Sequence, residues 1–206
     1  AMKDLEIRGA GNLLGGEQSG HIADVGFDLY IRLVGEAVAD FRSDGTEPDV
    51  EAEMRVELPV EAHLPSDYVS SERLRLEMYK RLAEVRSEED LAEVRAELLD
   101  RYGALPPTVE TLLAVARFRN AARAAGLTEV VLQGNFVRFG PYELPESRKL
   151  RLQRLHPRAV LKPNFILVPR PQAAVIGGQP PTDTELLAGC AEVVEQIFAP
   201  QPVPVG

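Results

Sequence analysis

Apolar residues recur along this chain with two periods, one near 3.6 and one of two, and the changes between them mark out its elements. Asp24 can cap a helix in which Phe27, Tyr30, Ile31, Val34, Val38 and Phe41 share one face, and Arg42-Ser43-Asp44-Gly45 ends it. Residues 45–49 are polar, contain Pro48 and read as a linker. Met54, Val56, Leu58 and Val60 then alternate with Arg55, Glu57 and Glu61, the pattern of a half-buried strand.

Three helices are predicted next. The first runs from about Ser71 to Val85 and buries Leu74, Met78, Leu82 and Val85. The second starts at Ser87 with Glu88, Glu89 and Asp90, close to a capping box, buries Leu91, Val94 and Leu98, and stops at Gly103. Pro106 and Pro107 open the third, where proline needs no donor, and Gly126 closes it. Beyond it, Val130–Leu132 and Phe136–Phe139 flank Gln133-Gly134-Asn135, and Val160-Leu161 and Ile166–Val168 flank Lys162-Pro163-Asn164; these read as two short hairpins with a basic helix between them at Glu146–Leu155. A final amphipathic helix spans Thr184–Phe198, with Leu186, Leu187, Cys190, Val193, Val194 and Ile197 inward, and Pro200, Pro202 and Pro204 predict an extended, disordered tail. The whole reads as an α+β chain: a helical segment at 1–45, a small mixed α/β domain at 46–200 and a tail at 201–206.

Composition narrows the function classes. With 206 residues, 45% hydrophobic, the chain can bury a real core, and no apolar run approaches the roughly 18 residues of a membrane helix. The single Cys190 has no internal disulfide partner and sits on the inner stripe of its helix. Net charge is −9, made up of −4 over residues 1–45, −6 over 46–126 and +1 over 127–206. An acidic body gains nothing from counterion release, so proteins are the expected partners and DNA is not a strong one for this stretch alone.

Residues 4–20 are the most constrained segment. Gly9, Gly11, Gly15, Gly16 and Gly20 permit close backbone approach around Arg8, whose guanidinium offers directed donors, and Gln18, whose amide donates and accepts. Such a pair could sense a neighbouring domain's position; a surface arginine and a loop glutamine are the plain alternative. A dinucleotide loop needs Gly-x-Gly-x-x-Gly after an apolar strand, and here the third glycine is one place late. Glu97, Asp100 and Arg101 lie three and four residues apart, on neighbouring rows of one helical face, where an intrahelical Glu97–Arg101 ion pair is the simplest account. Arg148, Lys149, Arg151, Arg154 and Arg158 surround Leu150, Leu152 and Leu155 and read as the solvated face of a packed helix, without stacking aromatics. His21, His63 and His156 are scattered, so neither a metal site nor a catalytic residue is proposed.

The stretches Asp4-Leu5-Glu6-Ile7-Arg8-Gly9-Ala10-Gly11, Gly16-Glu17-Gln18-Ser19-Gly20 and Val25-Gly26-Phe27-Asp28-Leu29-Tyr30 resemble the translocation motif shared by the RecG and Mfd families of DNA translocases. Arg81-Leu82-Ala83, Glu97-Leu98-Leu99-Asp100-Arg101-Tyr102-Gly103 and Leu105-Pro106-Pro107 resemble the Mfd family, the bacterial transcription-repair coupling factors, in particular. The resemblance implies a C-terminal piece of a longer cytoplasmic protein, in keeping with a chain that opens Ala1-Met2. It implies that Arg8 and Gln18 couple ATP hydrolysis in two RecA-like lobes to movement on duplex DNA. It also implies that Glu97, Asp100 and Arg101 belong to an autoinhibitory surface that docks on the N-terminal domain of the same polypeptide and hides its UvrA-binding face. ATP, Mg and the Walker residues would lie upstream, and the longer protein would displace stalled RNA polymerase; the piece itself would be no enzyme and would hold no cofactor. Cut from its lobes, the helix at about 24–41 could drive dimerisation or segment exchange. Two rivals from other classes are an NAD-binding oxidoreductase subunit and a freestanding adaptor.

Overall fold

The computed structural model describes Phe27, residues 30–32, 54–171 and 181–198. Arg8, Gln18 and the whole glycine-rich segment, the 45–49 linker and the proline tail lie outside the described residues. Within them the order is β1 (Arg55–Glu57), α1 (Glu72–Glu84), α2 (Glu88–Tyr102), α3 (Pro107–Ala124), β2 (Glu129–Gln133), β3 (Phe136–Gly140), α4 (Glu146–Leu155), β4 (Val160–Leu161), β5 (Ile166–Pro169) and α5 (Asp183–Val193), which runs on into a π-helical turn at Val194–Phe198. This is an α+β fold.

The two hairpins of the sequence reading are parts of one five-stranded sheet, ordered β1-β2-β3-β5-β4. β1 pairs with β2 in parallel, Val56 opposite Val130, and the other pairs are antiparallel. A parallel pair cannot be closed by a tight turn and needs a crossover; here α1, α2 and α3 supply it. Register puts Val130 opposite Phe139, Phe139 opposite Ile166 and Val137 opposite Val168, all buried, so one sheet face is continuously apolar. Gly134 supplies the positive φ, 59°, of the two-residue β2–β3 loop. β1 is shorter than its alternating pattern, because Pro59 has no donor for the ladder, while Leu58 is still buried.

α3 is the central helix. It carries eight buried residues, among them Val109, Leu112, Val115 and Phe118, and packs against α1 and α2 on one side and β1 and α5 on the other. Arg119 is buried in this core; its Nε donates to the Met54 carbonyl at 3.1 Å and its guanidinium lies 5.3 Å from the Phe27 ring centre. Phe27 and Ile31 are buried in the same core, with Phe27 and Tyr30 against Tyr79, so this part of the early helix face is covered within the chain. Arg75 is also buried where the period-3.6 reading placed Leu74, which is only half-buried; Arg75 donates to the Val69 and Ser70 carbonyls.

The last helix is closed at its start by a Thr182–Glu185 capping box. At its end Phe198 meets the rings of Phe139 and Tyr142. Cys190 is buried, which pushes its thiol up to about 12.

Leu98 and Leu99 are neighbours with opposite fates, one fully buried and the other 52% exposed. Leu98→Ala is therefore expected to cost about 2–5 kcal/mol of unfolding free energy, and Leu99→Ala to stay within about 0.5 kcal/mol of the parent chain. Urea unfolding of the two variants side by side measures the contrast.

Candidate functional site

The candidate site is the C-terminal half of α2, and its geometry starts from the helix ends. Ser87 Oγ accepts from the Asp90 N–H at 3.1 Å, and Asp90 Oδ2 accepts from the Ser87 N–H at 3.0 Å and the Arg86 N–H at 2.9 Å. These backbone donors, Arg86 first, lower the Asp90 pKa. At the other end Gly103 takes φ 85° and donates its N–H to the Leu99 carbonyl at 3.0 Å. The Tyr68 hydroxyl lies 3.0 Å from the Leu98 carbonyl and 3.1 Å from that of Gly103, with its ring 5.6 Å from Tyr102. Burial, foremost, raises the Tyr68 pKa and keeps it a donor.

Leu91, Val94 and Leu98 bury one stripe of α2, so the opposite stripe is presented outward. On the flank of α2 that faces α1 the structure brings Glu97 and Arg101 together, with Arg101 Nη1 2.7 Å from Glu97 Oε1, as the four-residue spacing foretells. It adds a partner the spacing does not show: Arg81 of α1 donates to the other oxygen, Glu97 Oε2. Both carboxylate oxygens are thus engaged from two helices. Arg81, then Arg101, holds the Glu97 carboxyl below the usual carboxylate range, and Glu97 in turn raises the Arg101 pKa. The Arg101 guanidinium also lies 5.2 Å from the Tyr102 ring centre. Asp100 is exposed and makes no ion pair among the described residues. It stands beside the exposed Leu99.

The other side of α2 is tied to α3. Arg95 grips Glu110 through two bonds of 2.5 and 2.7 Å, and Arg117 meets Glu88 at 2.9–3.0 Å. α2 is held from both flanks, which fixes Leu99, Asp100 and Arg101 on rigid backbone. A bridged carboxylate on one flank of α2, an exposed carboxylate at Asp100 and an exposed leucine at Leu99 suit a protein surface, since paired rim charges set register while the leucine supplies burial. Arg81 escaped sequence reasoning because it lies 16 residues away; Leu99 had a visible signal, a leucine off the apolar stripe.

In the basic cluster Arg151, Arg154 and Arg158 are exposed, as a solvated face requires, while the leucines divide between inside and outside. Leu152 is the buried residue of α4, while Leu150 and Leu155 face outward beside Arg151 and Arg154. Arg148 is half-buried and donates to the Tyr142 hydroxyl and the Phe198 carbonyl, each at 2.7 Å, because the incoming π-helical turn needs a donor there. Lys149 pairs with Glu146. Among the described residues no group of three or more His, Cys, Asp or Glu side chains is arranged to hold a metal, and no helix is long and apolar enough to cross a membrane.

A three-helix crossover joined to a mixed sheet, with a charged stripe on its second helix, defines a small α+β domain, and comparison shows what it resembles. Residues 58–150 match the TRCF domain family. The chain is 47% identical over 206 residues to the transcription-repair-coupling factor of Mycobacterium tuberculosis, covering 94% of this chain and 17% of that protein. It is 44% identical over 139 residues to that of Escherichia coli, covering 66% of this chain and 12% of the relative. A solved structure, the C-terminal domain of transcription-repair coupling factor, aligns with TM-score 0.56 and 20% identity over 71% of this chain and 94% of that one, and shares the fold. The chain belongs to the TRCF-domain family, and its likeness is to the C-terminal part of a transcription-repair-coupling factor. It spans about a sixth of the length of the Mycobacterium relatives.

A folded-state carboxyl held below its ordinary value contributes stability that is present above the unfolded pKa of about 4.3 and lost as pH falls through the lower folded value. Glu97→Gln is expected to cost about 0.5–1 kcal/mol at pH 7, with the gap to the parent chain shrinking below about pH 4. Urea titrations of both chains from pH 7 to pH 3 read this difference directly.

Proposed function

We propose that residues 46–200 form an autoinhibitory domain that docks through the α2 stripe on the N-terminal domain of the longer protein, covering its UvrA-binding face. The observation that carries this is that Arg81 and Arg101 hold Glu97 on one flank of α2 while Asp100 and Leu99 stand exposed beyond it, on a helix tied by ion pairs to both α1 and α3. Such a surface is preorganised, so little side-chain entropy is lost on docking. Its Glu97 and Arg101 charges are already paired within the domain, so affinity is modest and the lock can be released. Residues 1–45, with Arg8 and Gln18, act in the same proposal as the element that couples ATP hydrolysis, with Mg, in upstream lobes to movement along duplex DNA. The longer protein then displaces stalled RNA polymerase in the cytoplasm and hands the lesion to UvrA. The piece described here carries no enzymatic step in this scheme.

Two measurements test the two halves. In the full-length protein, Glu97→Ala with Asp100→Ala and Arg101→Ala is expected to raise UvrA capture in a pull-down by about tenfold, the release of about 1.4 kcal/mol of masking; unchanged capture contradicts the lock. Arg8→Ala or Gln18→Ala is expected to leave ATP turnover largely intact and abolish displacement of a DNA triplex, and full triplex displacement by both contradicts the coupling role.

A further inference from the structure

Arg81 stands on α1, 16 residues before Glu97 in the chain, and reaches it across the packing of the two helices. Its Nη1 donates to Glu97 Oε2, while Arg101 Nη1 donates to Glu97 Oε1 at 2.7 Å. Glu97 is the least exposed of the three side chains, so it is the shared centre of the group. The two donors differ in what they can fix. Arg101 lies one turn on along the same helix, and a single contact of that kind leaves the carboxylate free to turn about its last torsion, which is broad for glutamate. Arg81 is anchored on separate backbone and takes the other oxygen, so the carboxylate plane is set from two helices. With Glu97 fixed, the Arg101 guanidinium is held between that carboxylate and the Tyr102 ring, whose centre lies 5.2 Å away. Arg81 is also the first cause, ahead of Arg101, of the lowered Glu97 pKa.

We infer that Arg81 is a positioning residue of the docking surface, setting the direction of Glu97 and through it of Arg101, so that the surface meeting the N-terminal domain is built from α1 as well as α2. The inference rests on the docking role proposed above and adds to it a determinant outside α2. Without Arg81, Glu97 and Arg101 are an ordinary exposed pair one turn apart, whose rotamers must be ordered anew each time the two domains meet. Lys80, the residue before Arg81, supplies the contrast. It carries the same charge on the same helix, but pairs with Glu84 of α1 at 3.9 Å. Loss of a positive charge from α1 and loss of the Glu97 support are therefore separable, one residue apart.

UvrA pull-down with the full-length protein tests this, the variant at Glu97, Asp100 and Arg101 serving as the reference for full release. Arg81→Ala alone is expected to raise UvrA capture about threefold to fivefold. Arg81→Lys is expected to return capture close to the parent, because one charged donor suffices for Oε2, and Lys80→Ala to leave it unchanged. Arg81→Ala combined with Glu97→Ala is expected to release no more than Glu97→Ala does, since the arginine acts through the carboxylate. A second readout needs no UvrA: in the 206-residue chain, carbon-13 NMR is expected to show the Glu97 carboxyl titrating closer to the ordinary range in Arg81→Ala than in Arg101→Ala. If the reference variant raises capture and Arg81→Ala does not, the inference falls while the docking role stands; if the reference variant leaves capture unchanged, both fall. An Arg81→Ala gain that adds in full to that of Glu97→Ala, no rescue by Arg81→Lys, an equal gain from Lys80→Ala, or a Glu97 titration that Arg81→Ala leaves in place would each overturn the inference as well.

Discussion

The parallel pairing of β1 with β2 is the constraint on which this fold depends. Val56 opposite Val130 cannot be joined by a turn, so roughly 70 intervening residues must cross over the sheet and return. Three helices are the way those residues satisfy their own backbone, and the third of them, α3, meets the sheet at β1. α3, buried over most of its circumference, fills the space next to the sheet, and α1 and α2 lie outside it. The outer stripe of α2 is therefore exposed as a consequence of the topology, and its contents are free to serve recognition.

Buried arginines reinforce that geometry. Arg119 joins α3 to the start of β1 and to Phe27, and Arg75 closes the loop that leads into α1. Each guanidinium sits where a carbonyl would otherwise lack a donor in the core, so each links polar satisfaction to a specific approach of two elements. Tyr68 does the same for the end of α2, and Arg148 for the final π-helical turn.

Much of this is legible in the residues themselves. Ser71, Ser87 with Asp90, Pro107 and Gly103 bound the three helices because caps are local chemistry, readable without tertiary structure. The Glu97–Arg101 pair is legible for the same reason. What is not legible is non-local. Alternation at 54–60 predicts a strand but says nothing of its partner, so the parallel pair and the merging of two hairpins into one sheet appear only in the fold. Arg81 reaches Glu97 because α1 packs on α2. In α4 the leucines at 150, 152 and 155 fit no single stripe, and Leu152 takes the inward position on the side where Arg148, four residues before it, donates to the Phe198 carbonyl. Arg8 and Gln18, which the sequence marks so strongly, lie outside the described residues, and their role rests on family likeness.

The account as a whole turns on whether the α2 stripe faces another domain of the same polypeptide. A photo-crosslinking residue in place of Asp100 in the full-length protein reads this directly. The account predicts a single intramolecular crosslink to the N-terminal domain that fades as UvrA is added. A crosslink to any other region, or one that UvrA leaves undiminished, would contradict it.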